Sequence, residues 1–510
     1  MVDPHAVFAW GVAAGDPAPH GVILWTRVPA SPTGPVDVSW HIATGPTMRD
    51  VVAAGGAAAG TGTDWTVKVR VREPALRPFT TYWYRFDALG VSSRAGRFKT
   101  LPAPGMPLER LRLGYVSCQD FTSGRFHALR LLADADIDYV LHLGDYIYES
   151  VSDPRFQRRG PADRRLRLPG DRDRAETLDD YRWLYRTYRR DPDLQRLHER
   201  FAVIPIWDDH EFANDGYGVH DIDTSDEAAN ADPTRRSAAS QAWVEYLPAD
   251  VAFDPTADPV DQIRIHRRIV FGDLVDLVLT DERLYRDGPP CGLAREDRYA
   301  THGCAARHDP DRTMLGAAQR RWLIDTLTSS TQRWKLWANE TMLLPFQLPA
   351  WLARRLHPHA GNVPVLSEVL VSLDQWDGYT AERATLADAL ADVDGLVVLT
   401  GDLHSFITGT LRTDDGRHVA TCLMVGSVTS ANLAEMIAGR TLPSVPLPLT
   451  RLVRDANPHL SYVNSSAHGY NLLDVTPDRL RCDMVAVSGV RAPFAFQWTL
   501  HTVDVAAPGR

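Results

Sequence analysis

The chain reads as a layered α/β fold preceded by a small all-β domain. Three observations predict this. Short alternating runs fill residues 1–105, a β-α-β rhythm takes over in 106–510, and nearly every buried apolar run of the second part stops at a polar residue.

In the first part, "VFAWGVAAGDP", "GVILWTRV", "VDVSWHIATG", "WTVKVRV" and "TTYWYRF" are rich in Val, Trp and Tyr and separated by Gly, Pro and Asp turns. That spacing fits an Ig- or fibronectin-like sandwich. The Pro-rich Thr100–Leu111 reads as a linker. Beyond it, "LRLGYVSCQD", "IDYVLHLGDYIYES", "FAVIPIWDDHE", "LVDLVLTDERLY", "QRWKLWANETML" and "DGLVVLTGDLHS" each read as a buried strand with a polar end. "FHALRLLADA" has helical spacing, and "TLDDYRWLYRTYRRDPDLQRLHER" predicts a helix. The tail "FAFQWTLHTVDV" predicts a strand and shows no helical pattern.

Composition bounds the function. The 510 residues are 44% apolar and 24% charged, as in a globular protein, and the length suggests two domains. A net charge of −10 argues against a nucleic-acid partner, which needs a basic footprint. No apolar run reaches transmembrane length, and Met-Val-Asp-Pro at the start carries no export signal. Of five cysteines, Cys291 and Cys304 flank a Gly- and Pro-rich loop, where a disulfide or two free thiols both fit.

The strand ends carry the chemistry. They stop at Cys118, at Asp145, at Asp208-Asp209-His210, at Asp281, at Asn339, and at Asp402 with His404. Ligands of open α/β sheets gather beyond the carboxyl ends of strands. Several acids converging there would repel one another unless cations neutralised them. In "GDLH", Asp402 and His404 are expected on one side of an extended tip, because alternate side chains share a face. Any one of these residues taken alone reads differently. Cys118 would be a buried thiol, Tyr148 a core aromatic, Asp145 and Asp402 turn residues, and Asn339 a helix cap.

The order of these ends resembles the calcineurin-like metallophosphoesterases. More narrowly, "GVAAGDP", "SCQD", "HLGDYIYE", "WDDHEFAN", "RTMLGAAQRRWL", "QWDGYTAER" and "LTGDLHS" resemble the alkaline phosphatase D (PhoD-like) family across most of the chain. The resemblance implies Fe³⁺ held by Cys118, Tyr148 and His404, with Asp145 bridging to a Ca²⁺ held by Asp209, Asn339 and Asp402. Thiolate, phenolate and imidazole suit a transition metal, and oxygen donors suit calcium. Mn²⁺ or Zn²⁺ is the alternative. The implied chemistry is attack on phosphorus by hydroxide at the cluster, with His210 stabilising charge or protonating the leaving oxygen. His210 as a further metal ligand is the competing reading. Asn214 would serve a second calcium or support the site. Asp208 and Glu211 are expected as supports, and Asp281–Arg283 as an ion pair at the core edge or a support.

Family members include phosphomonoesterases, phosphodiesterases and enzymes with phospholipase D-type activity. The expected function leans to a phosphodiesterase that includes phospholipids. Alkaline phosphomonoesterase activity and a non-catalytic phosphate-binding protein are the alternatives. Two apolar, Arg-flanked segments, Thr341–Leu356 and Leu433–Val453, would suit a lipid at a membrane surface or a core. The Arg-rich stretch after Asp153 reads as a solvated helical face. The resemblance also implies secretion through a twin-arginine signal.

Overall fold

The computed structural model describes residues 3–154, 156–222, 230–301, 304–348, 369–438 and 449–507. Two large sheets dominate it. The first has nine strands in the order Gln497–Ala506, Arg479–Val487, His468–Val475, Leu111–Val116, Tyr139–Leu143, Ala202–Ile206, Val12–Ala18, Gly21–Arg27 and Thr66–Arg72. The second has seven: Arg267–Phe271, Val275–Leu279, Trp334–Ala338, Leu396–Thr400, His418–Met424, Phe406–Arg412 and Leu460–Asn464.

The centres of both sheets are parallel. Leu111–Val116, Tyr139–Leu143 and Ala202–Ile206 run side by side, as do Val275–Leu279, Trp334–Ala338 and Leu396–Thr400. Parallel strands covered on both faces need side chains that are apolar throughout, which is why these read as continuous runs. The period of two is kept all the same. Leu277, Leu336 and Val397 point into the core shared with the nine-stranded sheet, whereas Val278, Trp337 and Val398 point into a second core. Leu323 and Leu327 from the helix Gly316–Ser329, and Leu386 and Leu390 from Thr380–Leu390, complete that second core. The order of layers is therefore helix, sheet, sheet, helix. The Tyr115 hydroxyl crosses between the sheets and donates to the Leu423 carbonyl at 3.0 Å.

The hydrogen bonding does not stop near residue 105. Three strands from the first hundred residues extend the nine-stranded sheet, with Ala14 paired to Ala202 in parallel. Only Val36–Ala43, Val51–Ala59, Thr81–Ala88, Val91–Ser92 and Gly96–Lys99 form a separate small sheet. Local alternation identified the strands but could not say which sheet each would join, because strand partners are set at long range.

The expected helix over 177–200 is two helices. Thr177 and Asp180 form a reciprocal capping box on Leu178–Tyr188. Asp191 then caps Pro192–Arg200, whose first residue, proline, cannot continue the previous helix. Nor is the Arg-rich stretch simply solvated. Arg164, Arg182 and Arg189 are buried, and the first two pair with Asp191 and Glu245. The tail forms the edge strand Gln497–Ala506, as expected. Of the two apolar segments, Met342, Leu343, Leu344, Phe346, Leu348, Leu433 and Val453 lie in the core. Residues 349–368 and 439–448 fall outside the described residues.

Candidate metal centre

The parallel strands of both sheets end on one side of the molecule, and the predicted residues meet there. Donor atoms of Cys118, Asp145 and His404 lie within 4.8 Å of one another. The same spacing unites Asp145, Asp209 and His210, then Asp208, Asp209 and Asp402, and then Asp209, Asp215 and Asp374. Asp145 and Asp209 are thus shared between groups, as bridging donors would be.

The backbone here is held where side chains rarely sit. Cys118, Asp145, Asp402 and His404 have φ of 60°, 55°, 61° and 51°, four of the twelve non-glycine residues with positive φ among the described residues. Such conformations cost about 1 kcal/mol or more each and persist where the surroundings enforce them. They also correct the expected geometry of "GDLH". The segment is a turn, not an extended tip, so Asp402 joins the Asp208–Asp209 group while His404 joins Cys118 and Asp145.

Hydrogen bonds orient the donors. The Tyr148 hydroxyl donates to Asp145 Oδ2 at 2.8 Å, lies 3.3 Å from His404 Nε2, and accepts from Ser430 Oγ at 2.6 Å. His404 Nδ1 lies 2.6 Å from the Ala431 carbonyl, which can only accept, so Nδ1 carries the proton and Nε2 keeps its lone pair. Glu211 accepts from the amides of Asp145, Tyr146 and Asp208 at 3.0, 2.5 and 2.7 Å, fastening two strand ends together. It acts as the support expected of it. Asn339 stands at its strand end, but its amide donates to the Thr341 carbonyl at 2.6 Å and accepts from Trp376 Nε1 at 3.1 Å. Its oxygen also accepts from Thr341 Oγ1 at 3.4 Å, the longer of its two bonds. The Asn214 backbone amide donates to Glu149 Oε1 at 3.1 Å.

The acids of this cluster are crowded together in a dry interior. Burial and then neighbouring carboxylates push the Cys118 thiol well above its ordinary value. Burial also raises Asp145, Asp208 and Tyr148 well above theirs, with nearby acids adding to the effect, and lifts Asp402 to about 6. Burial takes His404 the other way, to about 4, which leaves a neutral imidazole suited to coordination. Asp208 Oδ2 and Asp209 Oδ1 are buried without a hydrogen-bond partner. Orphaned carboxylate oxygens beside a thiol, a phenol and a neutral imidazole fit a pair of cations of different character.

Of the two readings of Asp281 and Arg283, the ion pair fails and the supporting role fits Arg283, while other residues here went unread. Arg283 is not paired with the Asp281 carboxylate, which accepts the backbone amides of Arg283 and Leu284. The fully buried Arg283 guanidinium instead reaches Asp208 at 2.5 Å, Asp374 at 2.6 Å and Asp402 at 2.9 Å. Asp374 directly precedes the quoted "QWDGYTAER" and was not singled out by it. Glu149 directly follows Tyr148 and binds His210 Nδ1 at 2.6 Å. The His210 ring lies 4.0 Å from the Tyr148 ring and 4.6 Å from Phe156, between centroids. Burial would lower the pKa of His210, but Asp209, Glu149 and Asp145 raise it well above the ordinary value. Glu149 closes the quoted "HLGDYIYE", and that membership was its one signal in the sequence.

The chain is similar to known proteins along most of its length. The family model for PhoD-like phosphatases matches residues 113–484, and the model for their N-terminal domain matches residues 3–102. Alkaline phosphatase D of Bacillus subtilis (strain 168) is 30% identical over 502 residues, which is 96% of this chain and 79% of the relative. A solved structure of PhoD superposes with a TM-score of 0.84 at 27% identity, covering 98% of this chain and 91% of that one.

Proposed function

Because the chain belongs to the PhoD-like phosphatase family, a family of metal-dependent phosphoric ester hydrolases, we propose that it cleaves phosphate esters at two unlike cation positions sharing Asp145. The observation that carries this is the division of donors. Cys118, Tyr148 and His404 gather at Asp145, whereas Asp209, which also groups with Asp145, stands with Asp402, and Asn339 is at the strand end beside that of Asp402. The first set suits Fe³⁺ and the second Ca²⁺. When bound, the cations supply Lewis acidity against the phosphoryl oxygens and a more acidic water at neutral pH.

The protein's own groups do the rest. Ser430 and Ala431 fix the Tyr148 hydroxyl and the His404 ring. Arg283 binds Asp402 through Oδ2, the same oxygen that Gln375 uses, so Oδ1 stays available. Glu149 holds His210 by Nδ1 and keeps it protonated, which leaves Nε2–H to donate to the leaving oxygen. Such a donor matters most for alkoxide leaving groups, which are poor.

The proposed substrates are phosphodiesters, phospholipids among them. The names of the family and of its relative favour a second reading, phosphomonoester hydrolysis. The disulfide between Cys291 and Cys304 supports an exported protein, since such bonds persist in oxidising compartments.

The test is a substrate panel with elemental analysis of the same sample. A chromogenic monoester, a bis-ester and phosphatidylcholine are compared before and after chelation. We expect iron and calcium in the protein, loss of turnover on chelation and its return with calcium. Cys118→Ala should lose the iron and any visible charge-transfer band. Full activity in Cys118→Ala, with no iron in the parent protein, would sink the metal assignment. Equal mono- and diester rates with none on lipid would remove the phospholipid reading.

A further inference from the structure

Among the described residues, the exposed large hydrophobics are Val51, Leu89, Phe494 and Phe496, and the last two stand out at 78% and 67% exposed. Both lie in the turn joining Arg479–Val487 to Gln497–Ala506. They are two residues apart, and the Phe496 ring packs 5.8 Å from that of Trp498.

This turn is firmly held. The Ser488 amide donates to the Phe496 carbonyl at 2.9 Å, and the Phe496 amide to Ser488 Oγ at 3.2 Å. His127 Nε2 binds the Ala492 carbonyl at 2.8 Å, and the Arg125 amide binds the Val490 carbonyl at 2.6 Å. The two rings are thus presented to solvent by a fixed backbone.

The residues that anchor the turn belong to the segment that leaves the Cys118 strand end. The rings therefore stand on the metal-centre side of the molecule. The same segment also holds an arginine-rich loop, to which Arg125 is tied through Asp163. Gly160 donates to the Thr122 carbonyl at 3.1 Å and the Arg158 amide to Ser123 Oγ at 3.2 Å. A cleft of about 710 Å³ opens there, lined by Thr122, Arg158, Arg159, Arg165 and Arg167 among others. Arg159 and Arg165 are exposed and have no carboxylate partner among the described residues. In a chain of net charge −10 this is a local reversal of sign.

We propose that the Phe494–Phe496 tip and the adjoining arginine loop form one docking face for an anionic lipid bilayer. Aromatic rings on a convex tip suit the boundary between headgroups and acyl chains, and guanidiniums beside them suit anionic headgroups. A protein partner fits less well. Two rings bury about 150–250 Å² each at most, well short of the roughly 800 Å² per partner of a stable interface. The inference goes beyond the reading above, because binding a bilayer is separate from hydrolysing its lipids.

The experiment is co-sedimentation with vesicles of phosphatidylglycerol and phosphatidylcholine, and of phosphatidylcholine alone, with hydrolysis of a soluble chromogenic ester as a control for folding. Phe494→Ala/Phe496→Ala should weaken binding to the mixed vesicles by about a hundredfold, roughly tenfold per ring, and leave soluble-ester turnover within about twofold. Arg159→Ala/Arg165→Ala should lower binding to the anionic vesicles more than to the zwitterionic ones, and should reduce its salt sensitivity. Failure of the parent protein to bind vesicles, or unchanged binding in the phenylalanine variant, would overturn the proposal. So would a parent dimer that the phenylalanine variant makes monomeric.

Discussion

Replacing Glu149 with glutamine removes the charge that sits 2.6 Å from His210 Nδ1 and nearly preserves the shape of the side chain. In the structure His210 is kept protonated by Asp209, Glu149 and Asp145, against the opposing effect of burial. Bound cations would neutralise Asp209 and Asp145 and leave Glu149 as the main support of the ring's charge. A charge-assisted hydrogen bond is worth about 1.5–3 kcal/mol. Its loss should lower kcat roughly ten- to a hundredfold on an alkyl phosphate ester. The sign in pH follows from the role. A proton donor works while protonated, so activity falls as pH rises through its raised pKa. Glu149→Gln lowers that pKa, so the alkaline limb of the kcat profile should move to lower pH. The assay is a pH–rate series on parent and variant, with metal content measured to show that the cation positions are intact. A superimposable alkaline limb, or a His210→Ala variant with full activity, would refute the proton-donor assignment.

Arg283→Met should destabilise the protein by about 3–5 kcal/mol in urea unfolding, because Asp208, Asp374 and Asp402 would lose a buried counter-charge; an unchanged midpoint would show that the carboxylates are neutralised otherwise. His142 sits in the strand Tyr139–Leu143 with no hydrogen-bond partner on either ring nitrogen, and burial lowers its pKa to about 3. The unfolded chain therefore binds the extra proton as pH falls below about 6.5, and stability present above that value is lost on acidification. Between pH 7.5 and 4.5 the loss is about 2.7 kcal/mol. His142→Leu should be less acid-labile by that amount, and stability differences that stay constant between the two pH values would refute it.

Several parts of this protein were readable in one dimension. Strands buried on both faces announce themselves as continuous apolar runs, because parallel neighbours and helices leave no solvent-facing side. Their polar ends could be read because a carboxylate, thiol or imidazole directly after such a run has nowhere inexpensive to go. Cys118, Asp145, Asp209, Asp402 and His404 were found this way, and the structure brings them within reach of one another.

What the sequence by itself determined was the set of elements, the side of the sheets where chemistry gathers and the identity of most donors, since these depend on local pattern and motif. The tertiary structure decided the rest. It sent three early strands into the nine-stranded sheet, because pairing is settled by distant partners. It turned Asp402 and His404 toward different groups through two left-handed residues that no alternation rule anticipates. It took Arg283 from Asp281 to three other carboxylates, because a long side chain in a dry interior goes where the summed charge is most negative. It also set Glu149 on His210, a contact between residues 61 positions apart that only folding could make.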